Sequence, residues 1–182
     1  MEPLTLLVRR VTTDSVDAHE LADVAARTFP LACPPSIPAE NIATFIETNL
    51  SAARFAEYLT DTGRAILTAT DGGRIIGYAM LIRDVSDDAD VQRAVKIRPA
   101  AELSKIYLLP DYHGAGPATE LIQSTLATAS EWGMSCVWLG VNQKNERAQR
   151  FYIKSGFTVS GTRTFQVGAG REGDYVMVRE LR

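Results

Sequence analysis

A turn in the middle of the chain constrains the fold more than any other feature of the sequence. Residues 64–70 and 74–83 are two mostly apolar segments, and only Asp71-Gly72-Gly73 separates them. Asp-Gly and Gly-Gly pairs favour the tight turns of β-hairpins, so we expect two neighbouring antiparallel strands here. An antiparallel pair at this position argues against a doubly wound parallel sheet.

Helical and extended patterns alternate around this hairpin. Residues 136–141 form a continuous apolar run, which indicates a strand buried on both faces. The pattern predicts a single domain, 1–182, of the α+β (α/β) class with a central mixed sheet. The other expected elements are strands at 4–11, 102–109, 157–167 and 174–181, the last two around a Gly-rich loop, and helices at 16–29, 39–60, 117–132 and 145–155.

Several local signals set the expected ends of these elements. Asp14 or Ser15 is placed to cap the first helix, and Pro30 together with the proline-rich cluster 33–38 is expected to end it. Ser51 is expected to divide the second helical stretch into two pieces. The acidic residues 84–90 read as part of a solvated connection, although such a run could also attract a polycationic substrate.

Composition excludes several classes of function. Nineteen Lys and Arg against 22 Asp and Glu give a net charge of −3, whereas a protein that binds nucleic acid through phosphates needs a basic excess. The two cysteines and two histidines match no metal or disulfide spacing, so we expect no metal. The apolar stretch 75–82 is far shorter than the roughly 20 residues of a membrane span, and no signal peptide is visible. These features predict a cytoplasmic protein without a membrane or nucleic-acid partner.

The segment after the strand at 102–109 has the features of an anion site. Gly114, Ala115, Gly116 and Ala118 are small and directly precede or begin the next helix. Small residues let a ligand approach the backbone, and the free N–H groups of a helix start favour an anion such as a pyrophosphate. The segment lacks the Gly-Lys-Ser/Thr ending of a P-loop, and Thr119 replaces the third small residue of a dinucleotide fingerprint.

A second group of residues lies on one face of the helix at 145–155. Asn145, Ala148 and Tyr152 follow each other at steps of three and four, which aligns them on a helix surface. An amide, a small residue and a phenol in this order form a strip that can contact a long, thin ligand. The alternative is that Tyr152 is a core aromatic residue.

The two segments together resemble the GNAT superfamily of acetyl-CoA-dependent N-acetyltransferases. Its pyrophosphate loop, commonly Gln/Arg-x-x-Gly-x-Gly/Ala, corresponds to residues 113–118, where His113 stands for the usual Gln or Arg. Its later pattern, Asn-x-x-Ala-x-x-x-Tyr-x-x-x-Gly-Phe, is matched in full from Asn145 to Phe157. The order of elements matches as well, which implies a mostly antiparallel sheet flanked by helices. Residues 105–109, 137–141, 144–146 and 161–165 with Asp174 and Met177 are similar to bacterial spermine/spermidine N-acetyltransferases.

This resemblance implies acetyl-CoA as co-substrate and a set of residues that bind it. His113, Ala115 and Pro117 depart from the family pattern in ways that weaken the anion site, since Pro117 also removes one N–H group. The implied cofactor-binding residues are Tyr107, Leu108, Leu109, His113, Gly114, Ala115, Gly116, Ala118, Asn145, Ala148 and Tyr152.

The resemblance also implies two catalytic residues. Tyr152 occupies the position that protonates the departing thiolate, and Glu102 falls where some members place a catalytic glutamate. The developing oxyanion would accept a backbone N–H near Tyr107 or Leu108. For Glu102 the alternative is a carboxylate that faces water at the start of a strand, and Tyr107 could instead act as a base through ordered water.

The function expected from these residues is transfer of an acetyl group to a primary amine by direct attack in a ternary complex. A polyamine or another small amine is the favoured acceptor. Acetylation of a protein N-terminus or lysine and a catalytically silent acyl-CoA-binding module are the alternatives. Dimers are frequent in this superfamily, so the resemblance leaves a homodimer as one possible oligomeric state.

Overall fold

The computed structural model describes residues 3–114, 116–167 and 170–181, and Ala115 therefore lies outside the described residues. Seven strands form one sheet, and helices cover both of its faces. In chain order the elements are β1 (Leu6–Val11), α1 (Ala18–Ala32), α2 (Ala39–Asn49), α3 (Ala52–Thr60), β2 (Arg64–Asp71), β3 (Arg74–Ile82), α4 (Ala89–Ala94), β4 (Ala100–Leu108), a 3-10 turn (Pro110–Tyr112), α5 (Pro117–Glu131), β5 (Cys136–Asn142), α6 (Glu146–Lys154), β6 (Thr158–Val167) and β7 (Gly170–Glu180).

The sheet confirms the predicted fold class. Its strand order is β1-β2-β3-β4-β5-β7-β6, and every neighbouring pair is antiparallel except β4 and β5, which run parallel. These two strands pair over Ala100–Glu102 and Cys136–Trp138, and both then continue for several residues. Because the pairing stops before the strands do, β4 and β5 separate and leave a wedge-shaped gap in the middle of the sheet.

The central hairpin is formed as predicted. Gly72 and Gly73 connect β2 to β3, with φ values of 58° and 86°. Positive φ at both central residues is the geometry of a type I′ turn, whose twist matches that of the paired strands. The expectation that β2 is followed at once by an antiparallel partner is therefore confirmed.

A β-bulge in β4 determines which of its side chains face the first three helices. Met80 pairs with Lys105 and Leu81 with Leu103, so Ser104 is the extra residue. Residues opposite each other in a sheet point to the same face. Ile82, Met80 and Tyr78 pack in the cluster under α1–α3, and their partners Glu102, Lys105 and Tyr107 lie on that same face.

The core lies on both faces of the sheet. One cluster joins Phe55 and Leu21 of α3 and α1 to β2 and β3, and the other joins α5 to β4 and β5. Trp138 of β5 is fully buried in a third cluster, where its indole N–H donates to the carbonyl of Asp84. The prediction that residues 136–141 form a buried strand is confirmed.

Two local predictions were wrong in detail. Asp17, and not Asp14 or Ser15, caps α1 by accepting the N–H of His19, while Ser15 accepts the N–H of Thr12. The break after α1 falls where it was predicted, because Pro30 lies in the last turn and the helix ends at Ala32 with Cys33, the first residue of the cluster 33–38, as its C-cap. The connection after β3 contains α4, capped by Asp88, so its acidic residues are not merely a solvated loop.

The division of the second helical stretch is as predicted, whereas the last strand pair differs from the prediction in length. Ser51 divides the stretch into α2 and α3, as predicted, and accepts the N–H of Arg54. β6 and β7 stay paired up to Val167 and Gly170, so the pair is longer than predicted and residues 170–173 belong to a strand.

The close approach of β3 to the end of β4 predicts a stability effect at Gly77. A Cβ atom on this buried glycine would lie 2.6 Å from the carbonyl oxygen of Tyr107 and would overlap Leu108. We expect Gly77→Ala to lower the free energy of unfolding by about 1–3 kcal/mol, because a backbone atom cannot move aside cheaply. Gly63→Ala is the control, since its Cβ would meet only the Asp61 carboxylate, at 3.3 Å. Urea denaturation measures both, and equal effects would contradict the prediction.

Candidate active site

The gap between β4 and β5 opens into a cleft of about 720 Å³. It collects residues from α1, α2, β4, the start of α5, β5, α6, β6 and β7. Most of the residues that the sequence analysis singled out line this one cleft: Glu102, Tyr107, Leu108, His113, Gly114, Ala118, Asn145, Ala148 and Tyr152. The two segments that carried the sequence resemblance therefore face the same space.

Leu109 and Gly116, which were also singled out, are not among the described residues that line the cleft. The Leu109 side chain is buried in the core, and its N–H donates to the carbonyl of Ile76 at 2.8 Å. Gly116 is exposed and starts α5 with a φ of 95°. Both residues shape the loop before α5, where Ala115 lies outside the described residues.

The start of α5 has backbone N–H groups that no side chain caps. Gly114 and Gly116 both have positive φ, a conformation that glycine adopts without strain. The His113 ring does not extend toward the helix start, because its Nε2 lies 2.9 Å from the carbonyl oxygen of Leu108 and donates to it. The loop is thus tied to the end of β4, and the positive end of the helix dipole faces the cleft.

The strip on α6 is formed as predicted. Asn145 caps the helix by accepting the N–H of Ala148 at 3.1 Å, so its amide group is held at the cleft. Tyr152 is half-buried and its ring contacts those of Phe151 and Phe157, with centroids 5.6 and 5.9 Å away. Burial raises the pKa of the Tyr152 hydroxyl, which therefore stays protonated at neutral pH.

Tyr107 faces Tyr152 across the cleft. Burial raises the pKa of Tyr107, and the nearby Tyr152, Cys33 and Asp174 raise it further. Its ring packs edge-on against Phe29 at 6.4 Å between centroids. Two protonated phenols from opposite sides of the gap therefore bound its middle.

Glu102 lies at the closed end of the gap, where β4 and β5 last pair. Burial raises the pKa of its carboxyl group, although the positive charges of Arg163, Lys105 and Arg64 lower it in part. Burial also lowers the pKa of Lys105, which lies on the same face of β4. Glu102 is thus a carboxyl group held partly out of water, not one that faces solvent at a strand start.

An ion pair closes the same end of the cleft from the other side. Asp174 of β7 is almost fully buried, and its Oδ2 accepts the Nε–H of Arg163 at 3.1 Å. A Cβ on Gly140 would lie 2.7 Å from Arg163 Cζ and 2.9 Å from Asp174 Oδ2, so only glycine leaves room for the pair. Burial raises the pKa of Asp174, and Arg163 opposes that shift.

Sequence reasoning gave this ion pair no role, although both residues occurred in the segments that resembled polyamine acetyltransferases. Arg163 and Asp174 are directly opposite each other in the β6–β7 register. Their separation along the chain hides this contact until the register is known.

Apolar residues from α1 and α2 bound the part of the cleft next to Tyr107 and Lys105. The rings of Phe29 and Phe45 stack with centroids 4.6 Å apart and an interplanar angle of 11°. Cys33 lines the cleft as well, and burial raises its pKa to about 11. A thiol with that pKa remains protonated and acts here as part of the apolar wall.

The described residues contain neither a metal cluster nor a membrane-spanning helix. Over residues 3–114, 116–167 and 170–181, no group of three His, Cys, Asp or Glu side chains is placed to hold a metal ion. Among the helices of these same ranges, none combines the length and apolar composition that crossing a membrane requires.

Comparison with known proteins defines the class. A sequence model described as "Acetyltransferase (GNAT) family" matches residues 22–157. Uncharacterized N-acetyltransferases of Mycobacterium tuberculosis and Mycobacterium bovis are each 65% identical to the chain over 165 residues, which cover 91% of this chain and 98% of each relative. The chain therefore belongs to the GNAT family of acetyltransferases and is an acyltransferase.

Solved structures share the fold. The PaiA N-acetyltransferase of Thermoplasma acidophilum, determined in complex with coenzyme A, superposes with a TM-score of 0.76 at 20% identity and covers 98% of this chain and 100% of that one. The ribosomal-protein-S18-alanine N-acetyltransferase of Escherichia coli has a TM-score of 0.66 at 18% identity, with 97% and 94% covered. At these identities the likeness concerns the fold alone.

The raised pKa of Glu102 predicts that this residue lowers stability at neutral pH. A carboxyl whose pKa is higher in the folded state favours folding while protonated, and that contribution is lost as the pH rises through the folded-state pKa. We expect Glu102→Gln to have a higher Tm than the wild type at about pH 8. The gain should vanish near about pH 4, where the carboxyl is largely protonated in both states.

The matched control is Glu47→Gln, on the exposed side of α2, which should change the Tm little at either pH. Thermal melts at both pH values provide the measurement. A Glu102→Gln protein that is less stable than the wild type at the higher pH would show that the surrounding cations outweigh the effect of burial.

Proposed function

We propose that this protein is an acetyl-CoA-dependent N-acetyltransferase that acetylates the primary amine of a small molecule. One observation carries the proposal: the uncapped start of α5 and the Tyr152 face of α6 line the same cleft. An anion-binding helix start and a phenol at the opposite wall suit a ligand with a pyrophosphate at one end and a thioester at the other.

The residues present fit coenzyme A. Gly114, Gly116 and Ala118 would provide the N–H groups and close approach that a pyrophosphate needs, while Pro117 offers no N–H. Asn145 and Ala148 would contact the pantetheine arm where β4 and β5 part. The coenzyme A complex of the Thermoplasma acidophilum protein supports this assignment. Because His113 holds the end of β4, we assign it to shaping the loop rather than to binding phosphate.

The proposed reaction is a direct transfer within one ternary complex. The amine nitrogen forms a bond to the thioester carbonyl carbon, the C–S bond breaks, and the amine loses a proton. Glu102 would accept that proton, and the Tyr152 hydroxyl would donate one to the departing sulfur. A backbone N–H of β4 near Tyr107 or Leu108 would stabilise the negative charge that develops on the carbonyl oxygen.

The pKa values support this division of roles. Glu102 has a raised pKa, which makes its carboxylate a better proton acceptor than an ordinary surface glutamate. Burial keeps both tyrosines protonated, so Tyr107 is a poor base and Tyr152 can donate a hydrogen bond to sulfur. The pairing of a shifted carboxyl and a protonated phenol in one cleft favours catalysis over a silent acyl-CoA-binding module.

One prediction of the proposed function concerns binding of the co-substrate. Acetyl-CoA at about one hundred times its Kd should add about 2.7 kcal/mol of stability, because the ligand binds the folded state. For a chain of this length that corresponds to a rise in Tm of about 5–10 °C. Differential scanning fluorimetry measures the shift. No shift at millimolar acetyl-CoA would contradict the proposed cofactor site.

Another prediction of the proposed function concerns the proton donor. Tyr152→Phe should lower kcat by about 10²-fold or more, because the departing thiolate would lose its donor. The ring remains, so the packing against Phe151 and Phe157 and the Tm should change little. Tyr175→Phe, on β7, is the matched control and should keep wild-type turnover. Thiol release from acetyl-CoA gives the rate, and an unchanged kcat in Tyr152→Phe would demote Tyr152 to a packing residue.

A further inference from the structure

We infer that the acceptor carries one ammonium group on an apolar body, and that it is not a polyamine. This inference rests on the proposed function and narrows its substrate class. It depends on the charges around Glu102 and on the apolar wall of the same cleft, both described below.

The charges of the cleft disfavour a polycation. Glu102 and Asp174 are the carboxylates among the described residues that line it, whereas Lys105, Arg147, Arg150, Lys154 and Arg163 are basic. Asp174 is already paired with Arg163, so Glu102 alone is left for an ammonium group. Its own surroundings are positive, since Arg163, Lys105 and Arg64 all act on it. A polyamine would bring two or more further positive charges into this space with no carboxylate to pair them.

Glu172, an acid outside the lining, is also occupied. Glu172 on β7 accepts a hydrogen bond from the Ser36 hydroxyl at 2.8 Å and forms an ion pair with Lys144 at 3.6 Å. These contacts hold its carboxylate at the rim of the cleft. Glu172 is therefore poorly placed to bind a second ammonium group of an acceptor inside.

The wall that Phe29, Phe45 and Tyr107 form in the same cleft suits hydrocarbon. Phe29 and Phe45 stack face to face, Tyr107 packs edge-on against Phe29, and Ile37 and Cys33 continue the surface. Leu31 lines the same cleft and is 58% exposed, so it adds apolar surface that a ligand can bury. An apolar or aromatic group on the acceptor would bury this surface, whereas the methylene chain of a polyamine would leave its charges unpaired.

The wall is held in place before any acceptor binds. The segment between α1 and α2 carries Pro34 and Ile37 into the cleft, and Ser36 of that segment is tied to Glu172 of β7. Lys144, before α6, contacts both Ser36 and Glu172. A wall that is ordered in advance gains binding free energy because less motion is lost when the ligand binds.

The experiment compares acceptors of the two classes in the full-length protein. Initial rates of thiol release from acetyl-CoA are measured with 2-phenylethylamine and 3-methylbutylamine, and with spermidine and putrescine. We expect kcat/KM for 2-phenylethylamine to exceed that for spermidine by about tenfold or more. A kcat/KM for spermidine equal to or above that for 2-phenylethylamine overturns the inference.

A variant of the wall gives a second readout. Phe45 is half-buried on α2, and Phe45→Ala should raise the KM for 2-phenylethylamine by about tenfold. The KM for acetyl-CoA should stay unchanged, which a general loss of folding would not produce, and Phe45→Leu should restore part of the acceptor affinity. An unchanged acceptor KM in Phe45→Ala would also overturn the inference.

The failures of the inference and of the proposed function are distinguishable. Rapid turnover of spermidine agrees with the proposed N-acetyltransferase activity and overturns only the inference of an apolar acceptor. Thiol release with none of these amines, together with no stabilisation by acetyl-CoA, overturns both. Faster turnover of peptide amines than of any small amine would show that the acceptor is a protein, and this outcome contradicts the inference as well.

Discussion

The short parallel contact between β4 and β5 is the constraint on which the rest of the structure depends. The strands share three residue pairs, from Ala100 with Cys136 to Glu102 with Trp138, and then separate. Beyond that point their facing backbone groups have no strand partner, and buried N–H and C=O groups need one. Water or a ligand must therefore supply the missing hydrogen bonds inside the gap. Polar and titratable side chains suit such a hydrated space, and several of them line it. Trp138, which belongs to the last pair, is fully buried and anchors the closed end.

The closed end of the gap also concentrates charge at a cost to stability. Burial disfavours ionised Glu102 and ionised Asp174, and the protein offsets this with Arg163, Lys105 and a glycine at position 140. A core built only for stability would place apolar residues at these positions. Such an arrangement of shifted carboxyl groups in a cleft is common at functional sites.

The fold could be predicted from the sequence because its signals are local. The Asp71-Gly72-Gly73 turn, the buried run of β5 and the glycine after α6 each act over a few residues. The cap of α1 and the course of residues 84–98 were not predictable, because Asp17 competes with other capping residues and α4 is stabilised by packing against β6. Of the site, the motifs indicated the loop and the α6 strip. The roles of Phe29, Phe45 and Lys105 were hidden, since they depend on a bulge at Ser104 and on which helix covers which face.

The cleft receives residues from both faces of the sheet. Phe29 and Phe45 belong to the side covered by α1–α3, whereas Ala148 and Tyr152 belong to the side covered by α5 and α6. The cleft is therefore a passage between β4 and β5 that is lined from both faces of the sheet. An inhibitor that joined a group on one face to a group on the other would have to be threaded through this passage, so its middle portion must be slender and unbranched.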